Sequence, residues 1–306
     1  MSLTDIISIC DFSKKDIELV LETASQMDSL PKEKKARILE NRVIASLFFE
    51  PSTRTRLSFE TAIQNLGGRV VGFSDPAVSS TSKGETLSDS IRMVSGYADM
   101  IIMRHSIEGA ARRAAEVSKK PIINGGDGAN QHPTQTLLDL YTIKKEFKKI
   151  DGIKIGLLGD LKYGRTVHSL MYALAHYKNV EVFCIAPESL KMPEEIIKDN
   201  SGQLEIKETK NLHEFLPELD VLYATRIQKE RFADEFEYAQ IKNVFILGRE
   251  ILEKTKEQFR IMHPLPRVNE IKQELDSTPA ALYFEQAKNG VPVREAILSL
   301  LKGVEK

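Results

Sequence analysis

The sequence predicts an α/β protein of two domains, each a parallel sheet with helices on both faces, the two joined by interdomain helices. Three observations predict it. Short apolar runs alternate with helix-period segments from about Arg42 to Leu265, the rhythm of parallel sheets covered by helices. The rhythm pauses at one long helix-period stretch, Pro133–Phe147, and then restarts. The length, 306 residues, suits two domains better than one.

Taken in order, Val43–Phe49 reads as a buried strand and Thr53–Leu66 as a helix closed by Gly67-Gly68. Arg69–Phe73, Ala98–Met103 and Pro121–Asn124 follow as strands, with helices near Glu85–Gly96 and Glu108–Ser118. After the long helix, Ile153–Leu158, Val180–Ile185, Leu204–Ile206, Val221–Thr225 and Arg260–Met262 read as strands. Arg165–Tyr177, Pro193–Asp199, Leu212–Glu218 and Arg249–Thr255 read as helices. A final helical stretch, Ala280–Gly303, is expected to break near Gly290-Val291-Pro292 and to pack back on the first domain. The expected division is a first domain over 1–132 joined by 286–306, an interdomain helix over 133–149, and a second domain over 150–285.

Composition excludes several classes. Lys and Arg number 43 against 44 Asp and Glu, a net charge of −1, so a nucleic-acid partner is not expected. Two cysteines, Cys10 and Cys184, make neither a disulfide framework nor a cysteine-based metal site. No run approaches the ~20 apolar residues of a membrane span, and the start shows no basic leader, so no membrane association and a cytoplasmic location are expected. The basic runs Lys32–Arg37 and Lys144–Lys149 read as solvated helix faces.

The chemistry-bearing residues cluster at strand ends. In Glu50-Pro51-Ser52-Thr53-Arg54-Thr55-Arg56 a strand gives way to a helix whose first turn carries two arginines, the wrong sign for a helix dipole. Backbone N–H groups, hydroxyls and guanidinium groups together make an anion site, and a phosphate satisfies all three. Arg104 ends another strand and is placed toward the same crevice. Gly125-Gly126-Asp127-Gly128 leads to His132 and Gln135 at a helix start, where an imidazole can donate to a carbonyl oxygen as charge develops on it. In the second half, Gly159-Asp160-Leu161-Lys162-Tyr163-Gly164-Arg165 departs from a dinucleotide fingerprint. Arg165 and Arg226, both after strands, suit a dicarboxylate. In His263-Pro264-Leu265-Pro266-Arg267 the two prolines stiffen a turn that exposes the Leu265 carbonyl as an acceptor. Ser79–Thr86 reads, taken alone, as a polar surface loop before a helix.

These segments resemble the aspartate/ornithine carbamoyltransferases. The resemblance rests on F-x-E-P-S-T-R-T-R, G-D-G-x-N-Q-H-P-T-Q-T-L-L-D-L, G-D-L-K-Y-G-R-T-V-H-S-L, R-x-Q-K-E-R and H-P-L-P-R. They occur in family order and span Phe48 to Arg267. The second-half motifs resemble the aspartate branch, since Pro264 stands where the ornithine branch has cysteine. His105-Ser106 and Asn269 depart from the family's His-Pro and Asp.

The resemblance implies transfer of a carbamoyl group from carbamoyl phosphate to L-aspartate, a pyrimidine-pathway step needing no metal or organic cofactor. It implies that Ser52, Thr53, Arg54 and Thr55 hold the phosphate, Arg54 stabilising the leaving group. Thr55, Arg104 and His132 would polarise the carbamoyl oxygen. Gln135 and the carbonyls of Leu265 and Pro266 would receive the carbamoyl NH2. Arg165, Arg226 and Gln228 would hold the aspartate carboxylates. Lys83 resembles a lysine donated into the neighbouring subunit's site, together with Ser79 or Ser80, which implies a homotrimer with composite sites. Glu50 resembles a residue that pairs with second-domain arginines on closure. Some family trimers also bind a separate zinc-containing regulatory chain, a point the sequence leaves open. A catalytically inactive relative would have lost Arg54, Lys83, Arg104 or His132, and all are present.

Overall fold

The computed structural model describes residues 4–75, 84–227, 241 and 244–304. They fall into two compact units, Met1–Tyr141 with Asn289–Lys306, and Thr142–Lys288.

The first unit is built on four parallel strands: β1 (Val43–Phe48), β2 (Arg69–Phe73), β3 (Met100–His105) and β4 (Ile122–Asp127). Their order is β2-β1-β3-β4. Helices α3 (Thr53–Asn65), α4 (Leu87–Val94) and α5 (Ala110–Val117) make the crossovers. The path steps from β1 one way to β2, then back past β1 to β3 and β4. Right-handed crossovers therefore put α3 on one face and α4 and α5, which pack together, on the other. Side-chain alternation agrees. Ala45, Leu47, Ile101 and Met103 share a core with Ile91 of α4 and Ala110, Ala111 and Ala114 of α5. Ser46, of opposite parity, donates its hydroxyl to Glu60 of α3 at 3.1 Å.

Two helices precede β1, and only the charged one left a mark in the sequence reading. α1 (Lys14–Ser29) opens with a capping box, Ser13 and Asp16 bonding each other's backbone N–H, and buries Ile17, Val20, Leu21, Ala24 and Met27. That spacing was a legible signal. α2 (Lys32–Lys35) carries the lysine run and buries nothing. Upstream, Ile6 pairs in parallel with Ile123, donating to the Ile122 carbonyl and accepting from the Asn124 N–H, so the edge of β4 is covered. α3 ends at Gly67, whose φ of +80° no other residue holds cheaply and where a Cβ would lie 1.8 Å from the Ala36 carbonyl oxygen.

The second unit repeats the plan with β5 (Lys154–Leu158), β6 (Glu181–Ile185), β7 (Glu205–Thr209), β8 (Val221–Ala224) and β9 (Arg260–Met262). The order is β7-β6-β5-β8-β9, again all parallel, so the direction of travel reverses between β5 and β8. α6 (Pro133–Phe147) lies where an interdomain helix is expected, and the division between units falls within it. α7 (Arg165–Leu174), α8 (Glu194–Asn200) and α9 (Leu212–Phe215) follow.

Arg249–Lys254 is helical as expected, in 3-10 form. One expectation is corrected. The last helix, α10 (Tyr283–Leu301), runs unbroken through Gly290 and Pro292. Proline in a helix interior costs about 3 kcal/mol. Residues 292–298 are all buried, and burying such a run offsets that cost at about 1.5–3 kcal/mol per large apolar side chain. Among the described residues, no helix is long and apolar enough to cross a membrane.

Candidate active site

In an open parallel sheet a crevice forms where adjacent strands send their connections in opposite directions, outside the carboxyl ends. In the first unit that point lies between β1 and β3. β1 delivers Glu50 and the start of α3, and β3 delivers Arg104. Ser52 occupies the N-cap of α3 in extended conformation, yet its side chain makes no capping hydrogen bond, unlike Ser13 of α1 or Thr86 of α4. The first-turn N–H groups of α3 are thus not engaged by the cap hydroxyl, as an anion site at a helix start requires.

Arg104 is the buried member, 9% exposed. A register shift in the β3–β4 pairing between Met103 and His105 falls at this residue, and such irregularities re-aim a side chain. Its Nη1 donates to the Gly125 carbonyl at 3.2 Å, and its Nε lies 3.1 Å from Glu50 Oε2 as an ion pair. Gly125 eases this approach: a Cβ there would sit tightly against the Met103 carbonyl at 3.2 Å, with Thr55 and Arg104 in ordinary contact behind it. Burial pushes the Arg104 pKa down and Glu50 pulls it partly back. Arg54, exposed at the rim, is pushed down by desolvation and then by the Arg104 charge beside it. A guanidinium at the start of α3 that feels the Arg104 charge favours an anion nearby. Arg56 is different in kind: it pairs with Glu60, one turn on, at 3.5 Å.

His132 and Thr55 complete the crevice, both buried, with His132 Nε2 3.5 Å from Thr55 Oγ1. Gln135 follows within the first turn of α6, its N–H donating to the His132 carbonyl at 2.9 Å. The loop that sets His132 is organised by Asp127, 1% exposed, whose role the sequence reading missed. One carboxylate oxygen accepts from the Asn124 amide and the Gln131 N–H, the other from the Gly109 N–H and the Asn130 amide, all at 2.9–3.0 Å. An aspartate bracketed by glycines at a strand end was the available signal.

In the second unit the reversal between β5 and β8 carries Arg165 and Arg226, both half-buried. Gly159, at φ +110°, lets the loop after β5 close on Thr225; a Cβ would lie 2.5 Å from the Thr225 carbonyl oxygen. Thr225 Oγ1 accepts from the Asp160 N–H and donates to the Leu158 carbonyl, both at 2.9 Å. A cleft here is lined by Gly159, Arg226, Phe245, Val268 and Glu270. Leu265 and Pro266 lie on a turn pinned by His263, whose Nδ1 accepts from the Leu265 N–H at 2.8 Å. That leaves Nε2 to donate to Glu270 at 2.8 Å. Burial alone would raise the Glu270 carboxyl; His263 and the backbone N–H groups hold it below the usual range. The sequence reading gave neither residue a role. Lys83, Gln228, Ser79 and Ser80 lie outside the described residues.

Residues 4–145 match the aspartate/ornithine carbamoyltransferase carbamoyl-P binding domain, and 151–301 the Asp/Orn binding domain of the same family. The aspartate carbamoyltransferase catalytic subunit of Thermococcus onnurineus is 56% identical over 302 residues, 98% of this chain and 97% of that protein. That of Archaeoglobus fulgidus is 55% identical over 295 residues, 96% of this chain and 97% of its own. The solved catalytic subunit of M. jannaschii aspartate transcarbamoylase superposes with a TM-score of 0.91 at 51% identity, covering 98% of each chain. The Trypanosoma cruzi enzyme, solved with carbamoyl phosphate and aspartate, gives 0.91 at 40%, covering 96% of this chain and 95% of that one.

Two measurements check the structure, one at the anion site and one at a buried histidine of the second unit. Inorganic phosphate at about 100 times its dissociation constant is expected to stabilise the protein by about 2.7 kcal/mol. Arg54→Ala is expected to weaken that binding about tenfold or more. A thermal midpoint blind to phosphate would contradict the anion reading. The second concerns His168 of α7, which bonds the Leu161 carbonyl at 2.7 Å. Burial lowers its pKa from 6.5, only partly offset by that bond. The unfolded chain therefore takes up this proton more readily, so the contribution is present above pH 6.5 and lost as pH falls through the lowered value. Thermal midpoints measured from pH 7 to 5 should fall, and less steeply in His168→Gln.

With both domain matches and the full-length relatives agreeing, the chain belongs to the aspartate/ornithine carbamoyltransferase family.

Proposed function

We propose that the protein transfers the carbamoyl group of carbamoyl phosphate to the amine of L-aspartate, giving N-carbamoyl-L-aspartate and phosphate for pyrimidine biosynthesis. The observation that carries the reading is the gathering of Arg54, Thr55, Arg104 and His132 around one switch point, in a chain whose relatives above 50% identity are described as aspartate carbamoyltransferase catalytic subunits.

On this reading Ser52, Thr53, Arg54 and Thr55 hold the phosphate, and Arg54 takes up negative charge as the carbon–oxygen bond to phosphate breaks. Thr55, Arg104 and His132 donate toward the carbamoyl oxygen, which gains charge as the amine attacks. Gln135 and the Leu265 and Pro266 carbonyls accept from the carbamoyl NH2. Arg165, Arg226 and Gln228 hold the two carboxylates of aspartate by charge-assisted pairs. None of these is a strong general base, and the departing phosphate can itself take the amine proton. Catalysis then comes from positioning and electrostatics, with no metal or organic cofactor.

The active assembly on this proposal is a cytoplasmic homotrimer in which Lys83 enters the neighbouring subunit's site. Within the family some trimers act alone and others take a separate zinc-containing regulatory chain; the reading requires only the trimer.

Incubation of the purified chain with carbamoyl phosphate and either L-aspartate or L-ornithine is expected to yield carbamoyl-aspartate. Citrulline would overturn the acceptor, and no product would overturn the reading. The shared site has its own check. Lys83→Ala and Arg54→Ala chains, each inactive, should regain part of the activity when reassembled together. Hybrids confirmed by mass and still inactive would exclude the composite site.

A further inference from the structure

A side-chain amide has a donating end and an accepting end, and which one faces a ligand depends on what engages the other. Gln135 and Asp139 stand four residues apart on α6, hence on one face. The Gln135 Nε2 donates to Asp139 Oδ1 at 2.9 Å. On an exposed helix this pair would be incidental, but Asp139 is fully buried, and a buried carboxylate needs a countercharge.

Arg294 of α10 supplies one. Its side chain is 3% exposed, with the guanidinium 4.8 Å over the Phe59 ring. Gly290, one turn earlier, makes the room: a Cβ there would lie 2.3 Å from Arg294 Nη1 and 3.3 Å from Leu138. Burial lowers the Arg294 pKa to about 10 while Asp139 raises it, so the arginine stays charged at neutral pH. In the bond between Gln135 and Asp139, Asp139 is the acceptor, with the Arg294 charge acting on it. The end of Gln135 facing it is therefore the NH2, and the oxygen is turned away as a free-standing acceptor.

We propose that Asp139 is a positioning residue that fixes the Gln135 amide with its oxygen toward the substrate, so that the site distinguishes a carbamoyl NH2 from a group that cannot donate. This rests on the assignment of Gln135 to the carbamoyl group made above. With asparagine at 139 the partner could donate as well as accept, and the Gln135 amide would be free to turn over.

The test compares three ligands on the full-length enzyme: carbamoyl phosphate, acetyl phosphate (methyl in place of NH2) and inorganic phosphate. Asp139→Asn is expected to raise the KM for carbamoyl phosphate about tenfold. The inhibition constants of acetyl phosphate and phosphate should stay within about twofold. Equal weakening of all three would make Asp139 merely structural and overturn the proposal, as would no change in any. Gln135→Ala separates the two claims. If it keeps the preference for carbamoyl over acetyl phosphate, the Gln135 assignment falls and this proposal with it. If it loses the preference while Asp139→Asn keeps it, only this proposal falls. Should Asp139→Asn not fold, crystals of the unchanged enzyme with carbamoyl phosphate decide. Asp139 bonded to one end of the amide and the carbamoyl nitrogen to the other supports the proposal; an amide detached from Asp139 overturns it.

Discussion

The pairing of β1 with β2 on one side and β3 on the other is the constraint from which the first unit's site follows. Parallel strands present all their carboxyl ends at one edge, and right-handed crossovers force the connections from β1 and β3 apart there. The gap is thus a product of topology. What fills it is local. β1 supplies a helix start without a side-chain cap, β3 a register shift that turns Arg104, and β4 a glycine over which that arginine can lie. None of these is favourable taken singly. An uncapped helix forgoes about 1 kcal/mol, and the two neighbouring guanidiniums repel. The surrounding core of parallel strands bears those costs.

The sheet-forming elements were legible because apolar runs and helix periods are local properties of the chain. The anion-binding segment was legible for a related reason: arginines in the first turn of a helix contradict the dipole, and the contradiction stands in consecutive residues. The α10 path was not. Gly290 and Pro292 are helix breakers by propensity, and the helix continues because residues 292–298 are buried, Arg294 among them, against residues far away in sequence. Asp127 and Glu270 escaped for the same reason. Each acts by gathering donors, and two donors of each are backbone N–H groups that no side-chain pattern reveals. Lys83 and Gln228 rest on resemblance alone.

The ion pairs divide by what they do. Lys191 and Lys210 on Glu188, or Arg113 on Glu116, are solvent-exposed surface pairs, screened by water and salt, and they add little to stability. Glu50 with Arg104, and His263 with Glu270, are partly or fully enclosed, and removing one partner strands the other. Such pairs constrain where a neighbouring backbone or guanidinium sits more than they add to net stability.

The bridge from Ile6 to Ile123 has a consequence for how the chain reaches this structure. Asp5, beside it, accepts from the N–H of Ile122, 117 positions further along the chain. Closing so long a loop carries an entropic cost that the shorter connections of the same sheet do not. Until the upstream segment pairs with it, the outer edge of β4 presents unpaired backbone groups beside Ile122 and Ile123. Association between chains competes most strongly in that interval.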